Sequence, residues 1–274
     1  MTHPVLLTID LDRDWPIEKI GRMEARSGMG DDTPDVPVIR ATQQGVEMIL
    51  NTLEKWGLQA TFFIEASVLK HLTEEHIQRL SKHDIGCHGY AHEDLTGAGS
   101  EYQPGETEVL EVIKKARTII ETQLRQPRGF RAPYLRSNGL IRSVVREQGF
   151  QYDSSETVKQ ASTLSPYLTD EDIQEVPLST GLDRNGKVIS GYLWQLHEGR
   201  RKVADYVHLI NTQATNEDIK YSMIATHPWH LFLSTITKKY TEGEALRKNH
   251  ERFTKLIESI SDKIMSIADF LNFE

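Results

Sequence analysis

Three acids alternate at the end of an apolar run, in Thr8-Ile9-Asp10-Leu11-Asp12-Arg13-Asp14. In extended geometry Asp10, Asp12 and Asp14 point the same way. Such a group suits a divalent metal, or a metal ligand beside a base; solvated acids at a strand-end turn are the plainer reading. His88 and His92 stand four apart in Cys87-His88-Gly89-Tyr90-Ala91-His92. On a helical turn both rings would share one side, the spacing of a common zinc half-site. With eleven histidines in the chain the pair alone is a weak signal. Two His and one Asp leave positions open for water and substrate, which is the pattern of a catalytic site rather than a structural one. Cys87 reads as a small buried residue.

Three later segments add candidates. In Arg131-Ala132-Pro133-Tyr134, Arg131 could pair with a buried carboxylate and Pro133 fixes the local backbone. Tyr152-Asp153-Ser154-Ser155 offers another carboxylate, read alone as an ordinary turn. In Thr226-His227-Pro228-Trp229-His230, His227 suits a general acid and Trp229 could stack on a ring-shaped substrate. Read alone, His227 is more simply a satisfied core histidine.

These segments each follow a short apolar run. Strands are predicted at 5–9, 60–64, 84–87, 129–131, 150–152, 174–178, 221–226 and 264–267. Helical spacing marks 41–56, which Gly57 stops, and also 106–125, 138–148, 200–215 and 243–260, with a further helix opening at Thr73. Strands alternating with helices imply βα units and a mainly parallel sheet. The alternation runs almost to the C-terminus without a linker, so residues 1–274 read as one barrel-like domain. Two long polar stretches, 13–40 and 154–172, follow predicted strands. In a parallel barrel that places them at the face where active sites sit.

The 274 residues are 38% hydrophobic and 26% charged, which excludes disorder over most of the length. The net charge of −8 disfavours nucleic acid or an anionic membrane as partner. One cysteine excludes an internal disulfide. No apolar run approaches the ~20 residues that span a bilayer. The run Val5–Ile9 is too short for a signal-peptide core and has no basic region before it, so the expectation is a cytoplasmic protein.

Taken in order, TIDLD, HGYAH, RAPY, YDSS and THPW resemble the motifs of the polysaccharide deacetylase family, also called the NodB-homology or carbohydrate esterase family 4 group. The resemblance spans Leu6 to about Leu231. It implies an α/β fold, an irregular (β/α) barrel of seven strands. It implies metal-dependent hydrolysis of a non-peptide C–N amide bond, foremost the deacetylation of an N-acetylated sugar or glycan. Carried over by motif, Asp10 is the base, and Asp12, His88 and His92 hold the metal, foremost zinc. Arg131 holds Asp10, the backbone N–H of Tyr134 stabilises the oxyanion, His227 is the general acid and Asp153 tunes it. Pro133 and Trp229 stand on the substrate side. Asp14 rivals Asp12 as a ligand.

The commoner members have adjacent aspartates in the first motif, whereas here Leu11 separates them. That form resembles a branch holding peptidoglycan-deacetylase-like and allantoinase-like proteins. Some of these act on N-acetylated sugars and others on small cyclic imides or ureides, and homo-oligomers occur among them. Two other readings compete. Asp10-Leu11-Asp12 also suits a phosphatase of the haloacid dehalogenase type, but Asp14 stands where that chemistry wants Thr or Val. A non-catalytic sugar-binding protein would usually have lost a ligand or the base, and Asp10, Asp12, His88, His92 and His227 are all present.

Overall fold

The computed structural model describes residues 3–273. The first strand, β1 (Val5–Leu11), is wholly buried. A loop carrying the small hairpin β2 (Pro16–Ile17) and β3 (Arg26–Ser27) leads to α1 (Arg40–Trp56). Then come β4 (Thr61–Ile64), α2 (Glu74–Leu80), β5 (Asp84–Cys87), α3 (Glu106–Gln123), β6 (Gly129–Phe130), α4 (Gly139–Glu147) and β7 (Tyr152–Asp153). The rhythm breaks through β8 (Thr157–Val158), β9 (Tyr167–Leu168), β10 (Gln174–Glu175), β11 (Leu178–Leu182), β12 (Val188–Ser190) and the short α5 (Trp194–His197). It resumes with α6 (Val203–Ala214) and β13 (Ser222–Thr226). The hairpin β14 (Leu233–Ser234) and β15 (Lys239–Tyr240), α7 (Gly243–Ile260), β16 (Ile264–Met265) and α8 (Ile267–Leu271) complete the chain.

The main sheet has the order β13-β1-β4-β5-β6-β7-β10-β9, with β16 also paired to β1. Every pairing in it is parallel except β9 with β10, and the sheet curls as a half-barrel. This is the expected α/β architecture. Strand parity sorts the side chains between two cores. Val5, Leu7, Ile9 and Leu11 of β1 pack with Phe62, Ile64 and the apolar faces of α1, α3 and α7. Leu6 joins Phe63, Tyr152, Met223 and Ala225 inside the curl. Residues of this second parity run upward from that inner core. They are Thr8 and Asp10 on β1, Gly86 on β5 with His88 just after it, Gly129 on β6 with Arg131 just after it, and His227 after β13.

Two glycines make the interior fit. A Cβ on Gly86 would sit 2.5 Å from the Phe63 ring, and one on Gly129 would sit 2.2 Å from the Tyr152 ring. Helix α1 buries Val46, Ile49, Leu50 and Leu53, and Gly57 ends it in the left-handed conformation, as its position suggested.

Several boundaries differ from the sequence reading. The strand expected at 174–178 is two strands in two sheets, because Pro177 lacks the N–H a continuous ladder needs. The last strand stops at Met265, since Ser266 turns aside to cap α8. β1 runs on to Leu11, beyond the expected Ile9.

Candidate active site

The site begins where β1 ends. Asp10 is the last inward residue of that strand and is 1% exposed. Its Oδ1 accepts from Arg131 Nη1 at 2.8 Å, and its Oδ2 accepts from the Tyr192 hydroxyl. Arg131 is fully buried and fully engaged. It also donates to Thr8 Oγ1 at 2.9 Å, the Ser154 carbonyl at 3.0 Å and Ser154 Oγ at 2.9 Å, and it lies over the Phe63 ring. Burial alone would raise the Asp10 carboxyl, but Arg131, His88, His227 and the Tyr192 hydroxyl bring it below the ordinary carboxylate value. Asp10 is therefore a buried anion.

Asp12 lies just past the strand, fully buried. Its Oδ1 accepts from Trp229 Nε1 at 2.8 Å. Among the described residues its Oδ2 has no hydrogen-bond partner, and His92 Nε2 lies 3.4 Å away. Burial first, then Glu65 and Asp10, push the Asp12 carboxyl well above its ordinary value. Asp12, His88 and His92 bring one ligand atom each to within 4.8 Å of one another. His88 Nδ1 donates to the Arg131 carbonyl at 2.7 Å, which leaves its Nε2 free to ligate. A bare carboxylate oxygen facing two imidazoles in a buried site is the donor set a divalent cation completes.

The histidine pair is not built on a helix, as its spacing had suggested. Gly89 (φ 76) and His92 (φ 54) take left-handed conformations, and the turn wraps around the Glu93 carboxylate. Glu93 accepts from the N–H groups of Tyr90 at 2.9 Å and Ala91 at 2.8 Å. The two rings still converge, 4.8 Å apart and near perpendicular.

Asp14 does not compete for the metal position. The strand has ended, so its parity with Asp12 is lost. Its carboxylate caps α1, accepting from Ala41 N and Thr42 N at 2.8 Å each. Between the two acids, the fully buried Arg13 turns the other way. It meets Glu65 at 2.6 Å and Asp32 at 2.9 Å. The 13–40 loop is thereby bound to the barrel rim.

Asp153 is not placed beside His227. Tyr152 and Ser154 hold the inward parity of β7, so Asp153 faces outward, in register with Glu175 of β10. Its carboxylate accepts from the Ser155 hydroxyl, which in turn accepts from Ala132 N at 2.8 Å. Burial raises it to about 6. Asp153 thus braces the Arg131–Tyr134 turn instead of tuning the histidine.

His227 Nε2 lies 3.9 Å from both Asp10 Oδ2 and Asp12 Oδ2. Burial, aided by His230 and His88, pushes the imidazole down to about 3 although Asp10 pulls upward. Trp229 serves Asp12 with its N–H while its ring lines the cavity. Pro133 opens a strained turn in which Tyr134 (φ 60) and Leu135 (φ 54) are both left-handed. The Tyr134 ring stands edge-on to His92 at 4.5 Å.

The cavity above these residues holds about 460 Å³, and Trp15, Leu135, Tyr192, Trp194 and Trp229 give it aromatic and apolar walls. Sequence reasoning missed Glu65, Glu93, Tyr192 and Trp194. Glu65 and Glu93 directly follow segments already marked, and a buried acid beside the site was the available signal. Tyr192 and Trp194 carried none.

A family model described as polysaccharide deacetylase matches residues 31–152. A peptidoglycan deacetylase of Helicobacter pylori is 27% identical over 130 residues, covering 46% of this chain and 42% of that protein. A peptidoglycan deacetylase-like protein of Gibberella zeae is 31% identical over 121 residues, covering 43% of this chain and 34% of that one. The chain thus spans less than half the length of these curated relatives. Among solved structures, a Mycobacterium smegmatis protein assigned as a polysaccharide deacetylase superposes with a TM-score of 0.65 at 17% identity. That match covers 98% of this chain and 88% of that one. A carbohydrate esterase family 4 pseudoenzyme from Bacillus anthracis superposes with a TM-score of 0.52 at 13% identity, over 98% and 66% of the two chains. At such identities the superpositions speak for the fold alone, and the fold serves enzyme and pseudoenzyme alike.

Proposed function

We propose that this chain, whose residues 31–152 match a polysaccharide deacetylase family model, is a metal-dependent hydrolase of a non-peptide C–N bond that removes the acetyl group from an N-acetylated sugar or glycan. Residues 1–274 act in this reading as one catalytic domain. The observation that carries it is the bare Oδ2 of Asp12 facing His88 and His92, beside an Asp10 kept ionised by Arg131. Asp12, His88 and His92 would hold a divalent ion, foremost zinc. When bound, such an ion polarises the substrate carbonyl and acidifies a water.

The chain's own residues supply the rest. Asp10 takes a proton from the attacking water as its oxygen bonds to the acetyl carbon. The backbone N–H of Tyr134 is the donor proposed for the oxyanion. The C–N bond then breaks. His227, 3.9 Å from Asp10 Oδ2, relays the proton to the leaving nitrogen. Acetate and the free amine result. Trp15, Trp194 and Trp229 line the cavity that would receive the sugar.

A second reading is favoured by one observation. The 13–40 loop is anchored over the rim by Arg13 and by Glu18, which pairs with Arg136. A site bounded in this way suits a small cyclic imide or ureide. Acetate release from N-acetylglucosamine oligomers, run beside ring opening of cyclic imides, separates the two. Asp10→Asn should abolish whichever activity is found. Turnover of neither class by metal-loaded protein would leave the non-catalytic sugar-binding reading in front.

A further inference from the structure

The geometry points to Tyr192 as a positioning residue that joins the base and the proton donor of this site into one unit. This rests on the assignment of Asp10 and His227 proposed above. The Tyr192 hydroxyl donates to Asp10 Oδ2, the oxygen that also faces His227. The Tyr192 ring stacks on the His227 imidazole, with centroids 5.4 Å apart and planes 17° from parallel. One side chain therefore contacts both groups, from the cavity wall.

The backbone is built to put it there. The main sheet ends at β13 without closing on β9, and the segment after β12 lies along that edge. Tyr192 forms an isolated parallel bridge with Ala225, in which Ala225 N donates to the Gly191 carbonyl at 3.0 Å and Leu193 N donates to the Ala225 carbonyl at 2.8 Å. Gly191 makes the approach possible, because a Cβ there would lie 2.2 Å from the Met223 carbonyl oxygen. The Tyr206 hydroxyl donates to the Tyr192 carbonyl at 3.2 Å and fixes it from behind.

Physically, Arg131 holds one oxygen of Asp10 and Tyr192 the other, so the carboxylate cannot rotate. A phenol stays protonated at working pH and remains a donor. Burial beside Asp10 pushes that phenol further up. The stacked ring restricts the plane of the His227 imidazole. Tyr192 thus acts on orientation in the reacting complex more than on substrate affinity.

The test compares Tyr192→Phe with wild type in the metal-loaded protein, using the substrate class found to turn over. Losing a hydrogen bond to a charged group should lower kcat by about tenfold to a hundredfold. KM should change by less than about threefold, and the metal content should stay the same. In an Asp10→Glu background, where the carboxylate has left that position, the same change should cost much less. Tyr192→Phe with wild-type kcat, or with a loss confined to KM, would overturn the proposal. So would an equal loss in both backgrounds. If instead Asp10→Asn keeps full activity, the assignment of the base fails, a result distinct from failure at Tyr192.

Discussion

The indole Nε1 of Trp229 donates to Asp12 Oδ1 at 2.8 Å, and the second oxygen of the same carboxylate has no partner among the described residues. One bond therefore orients the acid and leaves Oδ2 turned to His92. Trp229→Phe keeps the ring and removes the donor. Metal affinity should fall by about tenfold to a hundredfold with the fold intact. Competition with a chelator of known affinity measures it, and unchanged affinity would show that Asp12 needs no such support.

Arg131 is the cation that makes Asp10 a tolerable buried anion. Arg131→Met leaves that carboxylate without its charge partner and should cost about 3–5 kcal/mol of stability. Urea unfolding reads this directly. A loss within 1 kcal/mol (about the size of a surface ion pair) would contradict the burial argument.

The loop carrying His227 is set by contact with α1. At Gly45 a Cβ would lie 2.0 Å from the Pro228 carbonyl oxygen. Gly45→Ala should displace that loop, destabilise by about 1–3 kcal/mol and reduce turnover. Thermal unfolding and steady-state kinetics check both, and wild-type values in each would mean the contact relaxes freely.

Acid sensitivity should trace in part to Glu198, away from the reacting groups. Burial would raise its carboxyl, but bonds from His230, Ser234 and Thr235 bring it down to about 2, against an ordinary 4.5. Its contribution is complete above pH 4.5 and is lost as pH falls toward 2. Glu198→Gln should therefore lower stability at neutral pH by about 2 kcal/mol and flatten the decline between pH 4.5 and 2. Denaturant midpoints across that range test it. Parallel curves for the two proteins would contradict the assignment.

What the sequence made legible follows strand parity. Asp10, His88, Arg131 and His227 stand directly at or after short strands, and period-two alternation carries them to one interior. Asp14 was misread because the alternation was continued past Leu11, where the strand stops and helix capping takes over. Asp153 was misread for the opposite reason: it lies inside a strand, one residue off the inward parity. Tyr192 was invisible because its position depends on how the segment after the β11–β12 hairpin meets the open sheet edge. That meeting is a tertiary event with no local pattern.

Asp12, His88 and His92 as a metal centre is the claim from which the chemistry follows. Elemental analysis of protein purified without added metal, beside His88→Ala, tests it most directly. About one divalent ion per chain is expected in the wild type, lost in the variant while its circular dichroism stays native. A wild-type protein without metal that takes up none on adding zinc would contradict it.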